Sequence, residues 1–186
     1  RWEEAFALAS ARLKSTAGDK TAAIVGDLAP AEAIKALKDL MKAIGSPNLD
    51  CRQDGAKIGG GPREAYLFNS GISGIERADR ILMIGVNPRL EAPLVNARIR
   101  KAWLANLDLK IAVIGERAAL TYDYDHLGEG PRDLAAGETF LNGADRPLVI
   151  VGMGALARAD GEAVLAEIAR IAGATGAVKE GWNGFN

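Results

Sequence analysis

Ile81-Leu82-Met83-Ile84-Gly85-Val86-Asn87-Pro88-Arg89-Leu90-Glu91-Ala92-Pro93-Leu94-Val95-Asn96-Ala97-Arg98 is the stretch whose reading decides the fold. Ile81 to Ile84 form a continuous apolar run, the mark of a buried strand. Gly85 then turns the chain, Asn87 and Pro88 make a corner, and helical spacing of apolar residues sets in from residue 92 to about 105. A strand that passes through a glycine turn into a helix builds a site at the carboxyl edge of a parallel sheet.

Outward from this stretch the same grammar repeats. Residues 2–15 carry Trp2, Ala5, Phe6, Ala9 and Leu13 on one helical face. Residues 20–26 read as a short buried strand. Pro30 opens a helix over 30–44, with Ile34, Leu37, Leu40, Met41 and Ile44 on one face and Gly45 as its stop. Residues 47–50 suggest a second strand. Residues 51–71 hold Gly55, Gly59, Gly60, Pro62 and further glycines, so they read as an internal loop, most flexible near 55–61. One helical turn over 72–78 leads into the strand at 80–84. Residues 109–114 and 148–151 are further strands, 115–146 read as irregular, and a helix spans 160–171. Strands alternating with helices predict an α/β fold, a parallel sheet flanked by helices on both faces, within one domain over residues 1–186.

Composition narrows the function. Lys and Arg (23) balance Asp and Glu (24) for a net charge of −1, so no electrostatic footprint for nucleic acid is present. No apolar run is long enough to cross a bilayer, and no secretory signal is read. The single cysteine, Cys51, rules out an intrachain disulfide and an all-cysteine metal or iron–sulfur site, and it fits a reducing compartment. The chain starts Arg1-Trp2-Glu3 without methionine and ends with Trp182 and Phe185 near its terminus. These features read as a piece of a longer protein, with a partner surface expected over the terminal aromatics.

Four residues are candidates for holding a cofactor. Gly152 and Gly154, in Gly152-Met153-Gly154-Ala155-Leu156-Ala157, have dinucleotide-fingerprint spacing between a strand and a helix. The acidic residue that should follow some twenty positions later has no convincing counterpart, Glu180 being too far along. The reading taken is a glycine turn that packs helix on sheet. Gly85 and Asn87 could hold a phosphate or pterin-type ligand; the reading taken is that Asn87 caps the following helix. Arg98, Arg100 and Lys101 read as a solvated face or a protein contact. Cys51 reads as a buried structural cysteine, with Arg52 able to lower its pKa, and His126 as a loop histidine bonded to a neighbour. No nucleophile–base pair, phosphate loop or zinc motif is present. No catalytic residue and no metal ligand is assigned.

Three further segments carry a resemblance. They are Ser46-Pro47-Asn48-Leu49-Asp50-Cys51-Arg52-Gln53-Asp54-Gly55-Ala56, Asn87-Pro88-Arg89-Leu90-Glu91-Ala92-Pro93, and Leu120-Thr121-Tyr122-Asp123-Tyr124-Asp125-His126-Leu127-Gly128. Together they resemble the large iron–sulfur subunit of respiratory complex I, the NADH:quinone oxidoreductase. Ile84-Gly85-Val86-Asn87-Pro88 with Pro93 and the segment 97–102 resembles the wider molybdopterin oxidoreductase superfamily. The resemblance implies a Rossmann-like α/β domain of the formate dehydrogenase/DMSO reductase type. It also implies a longer parent protein that carries iron–sulfur clusters upstream and passes electrons from NADH toward quinone. This region would be a non-catalytic scaffold without a cofactor of its own. Its partners would be other peripheral-arm subunits, on the cytoplasmic side of a bacterial inner membrane or the matrix side of a mitochondrial one. One departure supports loss of the pterin: where active superfamily members have Asp-Pro-Arg, this chain has Gly115-Glu116-Arg117. The alternative is a module that binds a pterin or nucleotide at the strand carboxyl ends.

Overall fold

The computed structural model describes residues 1–26, 28–51 and 55–186. Read from the sequence as one domain, the protein forms two compact units, residues 1–54 and 55–186.

The first unit contains helix α1 (Trp2–Ser15), strand β1 (Ala22–Ile24), helix α2 (Ala31–Ala43) and strand β2 (Asn48–Asp50). β1 and β2 pair in parallel, Ala22 opposite Asn48 and Ile24 opposite Asp50, with α2 as the crossover. Gly45, at φ 71°, ends α2 in a left-handed turn, as a glycine stop requires. Ser46 Oγ then donates to Thr21 O at 2.6 Å and Asn48 Nδ2 to Asp19 O at 2.8 Å, which pins the returning strand. The helical faces are less covered than their spacing suggests. α1 buries no side chain, and α2 buries Met41. Cys51 is exposed, contrary to the expectation of a buried cysteine. It follows a two-stranded ladder whose second strand is exposed along its length. Its neighbour Arg52, with Gln53 and Asp54, lies outside the described residues.

The second unit has a four-stranded parallel sheet in the order β5-β4-β3-β6. Its strands are β3 (Arg80–Ile84), β4 (Lys110–Ile114), β5 (Asp125–Gly128) and β6 (Pro147–Val151). Successive side chains of a strand point to opposite faces, and here both faces are buried. Ile81, Met83, Ile111, Val113, Leu148 and Ile150 pack on one side. There they meet Val95, Ile99 and Ala102 of helix α5 (Pro93–Ala105), a stripe repeating at three and four residues. Leu82, Ile84, Ala112, Ile114 and Val149 pack on the other side. That layer is closed by helices α6 (Leu134–Leu141) and α8 (Gly161–Ala174). One-turn helices α3 (Gly71–Gly74), α4 (Pro88–Glu91) and α7 (Met153–Leu156) lie between these elements.

The region 115–146, read as irregular, holds both β5 and α6. Ile114 pairs with Gly128 after a register shift, a bulge that the polar segment Asp125-His126-Leu127-Gly128 hides from an alternation test. The terminal aromatics are buried within this unit, which corrects the expectation of a partner surface over them. A short hairpin of β7 (Val178–Lys179) and β8 (Trp182–Asn183) brings the tail alongside β6. Trp182 is 5% and Phe185 6% exposed. The indole Nε1 of Trp182 donates to Pro147 O at 2.8 Å, and the Arg77 guanidinium lies 5.4 Å from its ring centroid. Val149 N donates to Gly184 O and Val151 N to Asn186 O, both at 2.8 Å, so the tail pairs the outer edge of β6.

The basic face of α5 makes ion pairs within the chain. Lys101 Nζ donates to both carboxylate oxygens of Glu76 at 3.0 Å, and Arg98 joins it. Lys101 and then Arg98 hold the Glu76 carboxyl below its ordinary value of 4.5. A lowered folded pKa adds stability above the unfolded value that is lost as pH falls through the folded one. Glu76→Gln should therefore flatten the stability profile on the acid side of pH 4.5 relative to the parent. Urea unfolding at pH 7 and pH 3.5 measures the difference.

Candidate functional site at the carboxyl ends of the strands

Gly85 follows β3 at φ 60°, and a Cβ there would lie 2.3 Å from the Ala155 nitrogen. The turn after β6 passes directly over it. Gly152 N donates to Ile84 O at 2.9 Å and Gly154 N to Gly85 O at 2.8 Å. On the other side Gly85 N donates to Ile114 O, and Gly115 N to Gly128 O, both at 2.8 Å. Backbone bonds thus tie four strand ends together, and glycine is needed because backbone meets backbone. A Cβ on Gly152 would come within 2.4 Å of the Val86 side chain.

Around this clasp lies a cleft of about 310 Å3. Ile84, Ile114, Leu134, Ala155 and Val164 give it an apolar floor, and Glu91, Glu116 and Glu129 stand in its wall. Of the four sequence candidates, Gly85, Asn87 and Gly154 line the cleft, while Gly152 packs behind it against Val86. Sequence reasoning missed the acidic residues. They come from three separate connections, and only Glu116, in the Gly115-Glu116-Arg117 departure, carries a signal in the sequence.

Asn87 holds the N-cap position of α4, but its side chain makes no capping bond, which corrects the sequence reading. Glu91 reaches back instead, its Oε1 accepting from Asn87 N at 2.6 Å. The Asn87 Oδ1 is buried without a hydrogen-bond partner.

A phosphate-binding turn needs free amides at the start of a helix. Here the amides of Gly85, Asn87, Gly115 and Gly154 are already bonded, and Asp133 Oδ2 accepts from Glu129 N at 2.9 Å and Gly130 N at 3.1 Å. The helices that open at the two glycine turns, α4 and α7, have four residues each, too short for a useful dipole. Arg158, the one arginine in the wall among the described residues, binds Asp160 through Nε at 2.7 Å and Nη2 at 3.0 Å. Asp160 holds the guanidinium pKa above its ordinary value and is itself lowered by it. The residues present do not fit the phosphate of a pterin or nucleotide cofactor.

The tyrosine-rich motif is structural. Tyr122 OH donates to the buried Asn96 Oδ1 at 2.9 Å, and burial pushes its pKa up. Tyr124 OH donates to Ala118 O at 2.9 Å, and His126 Nε2 lies 2.8 Å from Gly115 O. His126, read as a loop residue, is in β5. Thr121, at φ 72°, is the tight point of this connection, and the Arg100 guanidinium bonds its carbonyl. Among the described residues, no group of three or more His, Cys, Asp or Glu could hold a metal ion.

A parallel sheet in this order, with glycine turns and a cleft at its carboxyl edge, defines a Rossmann-type α/β protein. The chain belongs to the molybdopterin oxidoreductase family, whose profile matches residues 1–186. NADH dehydrogenase (ubiquinone) iron-sulfur protein 1, mitochondrial, of Solanum tuberosum is 36% identical over 192 residues, covering 100% of this chain and 26% of that protein. The NADH-ubiquinone oxidoreductase 78 kDa subunit, mitochondrial, of Candida albicans is 39% identical over 197 residues, covering 100% and 27%. Its namesake in Neurospora crassa is 39% identical over 183 residues, covering 91% and 24%. The chain spans about a quarter of the length of these curated relatives. The likeness to a complex I iron–sulfur subunit, drawn above from three motifs, extends over essentially the whole chain.

Gly85→Ala should destabilise the protein by about 2–4 kcal/mol, combining left-handed strain with a backbone clash. Chemical denaturation measures it, and an unchanged midpoint would remove the clasp argument. Tyr122→Phe should cost about 1–3 kcal/mol, because Asn96 Oδ1 then loses its donor inside the core.

Proposed function

We propose that this chain is a non-catalytic scaffold region of the large iron–sulfur subunit of an NADH:quinone oxidoreductase, complex I. The observation that carries the reading is the state of the cleft. The glycine turns of a cofactor-binding family persist, yet their amides bond within the protein and the wall is acidic. The region then holds no cofactor itself, and the iron–sulfur clusters sit elsewhere in the longer subunit that the relatives' lengths imply. Electrons passing from NADH toward quinone would use those clusters and bypass this sheet.

Partners in this reading are other peripheral-arm subunits. Exposed apolar side chains support it: Trp2 and Phe6 on α1, Leu94 and Leu104 on α5, and Leu107 just beyond. Among the described residues no helix is long and apolar enough to cross a membrane. The region would belong to the arm on the cytoplasmic side of a bacterial inner membrane or the matrix side of a mitochondrial one. The second reading, a module for a pterin or nucleotide, is favoured by the cleft's volume and position alone.

Thermal unfolding with NADH, GDP or molybdopterin guanine dinucleotide separates the two. A ligand at 100 times its dissociation constant adds about 2.7 kcal/mol of stability. The scaffold reading expects no upshift with any of the three at millimolar concentration; a clear upshift with one of them selects the binding module.

A further inference from the structure

We propose that Asn142-Gly143 is a site of spontaneous covalent modification, where the chain closes to a succinimide that water opens to aspartate and isoaspartate. The two residues leave the end of α6 as the centre of a tight turn. Asn142 has φ −59° and ψ 131°, Gly143 has φ 78°, and Ala144 N donates to Leu141 O at 3.2 Å, which together make a type II turn. Both residues are exposed, and a Cβ built on Gly143 would meet nothing within 4 Å. Among the described residues, neither the Asn142 side chain nor the Gly143 N–H has a hydrogen-bond partner. The electrophile and the nucleophile of the ring closure are adjacent in the chain, unblocked and open to water, and glycine has no Cβ to shield its nitrogen.

The Gly143 nitrogen, once it has given its proton to hydroxide, attacks the Asn142 Cγ. The N–Cγ bond forms, the Cγ–Nδ2 bond breaks, and Nδ2 leaves as ammonia. Water then adds to one of the two ring carbonyls. Attack at Cγ leaves an aspartate; attack at the main-chain carbon leaves an isoaspartate. Closing the ring needs rotation about the Asn142 ψ, away from 131°. Against it stand the turn bond and a bond from Arg80 Nη1 to Asn142 O at 2.6 Å, which is exposed and comes from a flexible side chain. The end of a helix opens locally at low cost. The chain's second Asn-Gly step, Asn183-Gly184, is an internal control. There the glycine is buried, its N–H donates to Ala177 O at 2.7 Å, and its carbonyl accepts from Val149 N at 2.8 Å. Rotation at Asn183 pulls the tail from β6, so the same chemistry is blocked. At Asn142 an isoaspartate adds a carbon to the main chain where Arg80, the first residue of β3, ties the end of α6 to the sheet.

The inference does not rest on the scaffold reading and uses no residue of the cleft. Incubation of the 186-residue chain at mildly alkaline pH, followed by peptide mass mapping, tests it. The peptide holding Asn142 should gain the mass of an amide replaced by a carboxyl. On isoelectric focusing the intact chain should move from a net charge of −1 to −2, one carboxylate having been added. Modification at Asn142 should outpace that at Asn183 at least about tenfold, the ratio that about 1.4 kcal/mol of extra opening cost gives. In the chain unfolded by guanidinium chloride the two steps should react alike, since only the local sequence then remains. A protease that cuts before aspartate but not before isoaspartate separates the products, and both should be found. Four results would each overturn the inference: equal rates at Asn142 and Asn183 in the folded chain; a preference that persists unchanged in denaturant; an inert Asn142 in the folded chain while the unfolded chain reacts; or aspartate without isoaspartate, which marks direct hydrolysis of the side chain.

Discussion

The contact between the β3 turn and the β6 turn is the constraint on which this domain depends. Gly85 sits so close to Gly154 and Ala155 that a single added carbon collides with backbone. The approach lets Gly152 N reach Ile84 O and Gly154 N reach Gly85 O, while Gly85 N reaches across to Ile114 O. Three parallel strands are thereby joined at their carboxyl ends, beyond the last ladder pairs. Parallel strands have no tight hairpins to set their register, so such end contacts matter more than in a meander. The same geometry fixes where the cleft lies. It opens at the point where the chain leaves β3 toward β4 on one side and β6 stands on the other.

Much of this was legible in the sequence because the physics was local. The strands β3, β4 and β6 are runs of β-branched and aliphatic residues, and each ends in glycine. α5 and α8 show helical spacing. What escaped depended on partners distant in the sequence. β5 is a short edge strand of Asp125, His126, Leu127 and Gly128, recognisable only by its pairing with β4. α6 contains Ala135, Ala136 and Gly137, a weak pattern; Gly137 is there because Leu82 and Ile114 crowd the space where its side chain would be. Trp182 and Phe185 looked like interface residues from their place at the end of the chain, yet the hairpin folds them back onto β6. The cleft divided in the same way: its glycines were visible as a spacing, whereas Glu91, Glu116 and Glu129 belong to one wall only in three dimensions.

Charge shows the same separation of scales. A net charge of −1 over the chain gives no strong long-range field. It says nothing about a cleft a few ångströms across. There a glutamate on a backbone amide and an arginine held by aspartate set the local balance, and both pairs lie within four residues of sequence. Short-range pairing of this kind persists through changes elsewhere, because each pair needs only its own turn.

In the proposed scaffold reading, retention of the turns alongside loss of an anion-binding role follows from which atoms each demand uses. Folding uses the glycine backbones, whose close approach no other residue allows. Binding a phosphate uses free amides and cationic side chains around them. The amides can be closed one at a time, by Glu91 on Asn87 or by Asp133 on Glu129 and Gly130, with no movement of the sheet. Each closure satisfies a donor that would otherwise need water, so it is neutral or favourable for stability. Reversing the route is harder, since a glycine once replaced would separate β3 from β6. A cofactor fold can therefore lose its ligand gradually through side chains, while the backbone that once served the ligand stays fixed by packing.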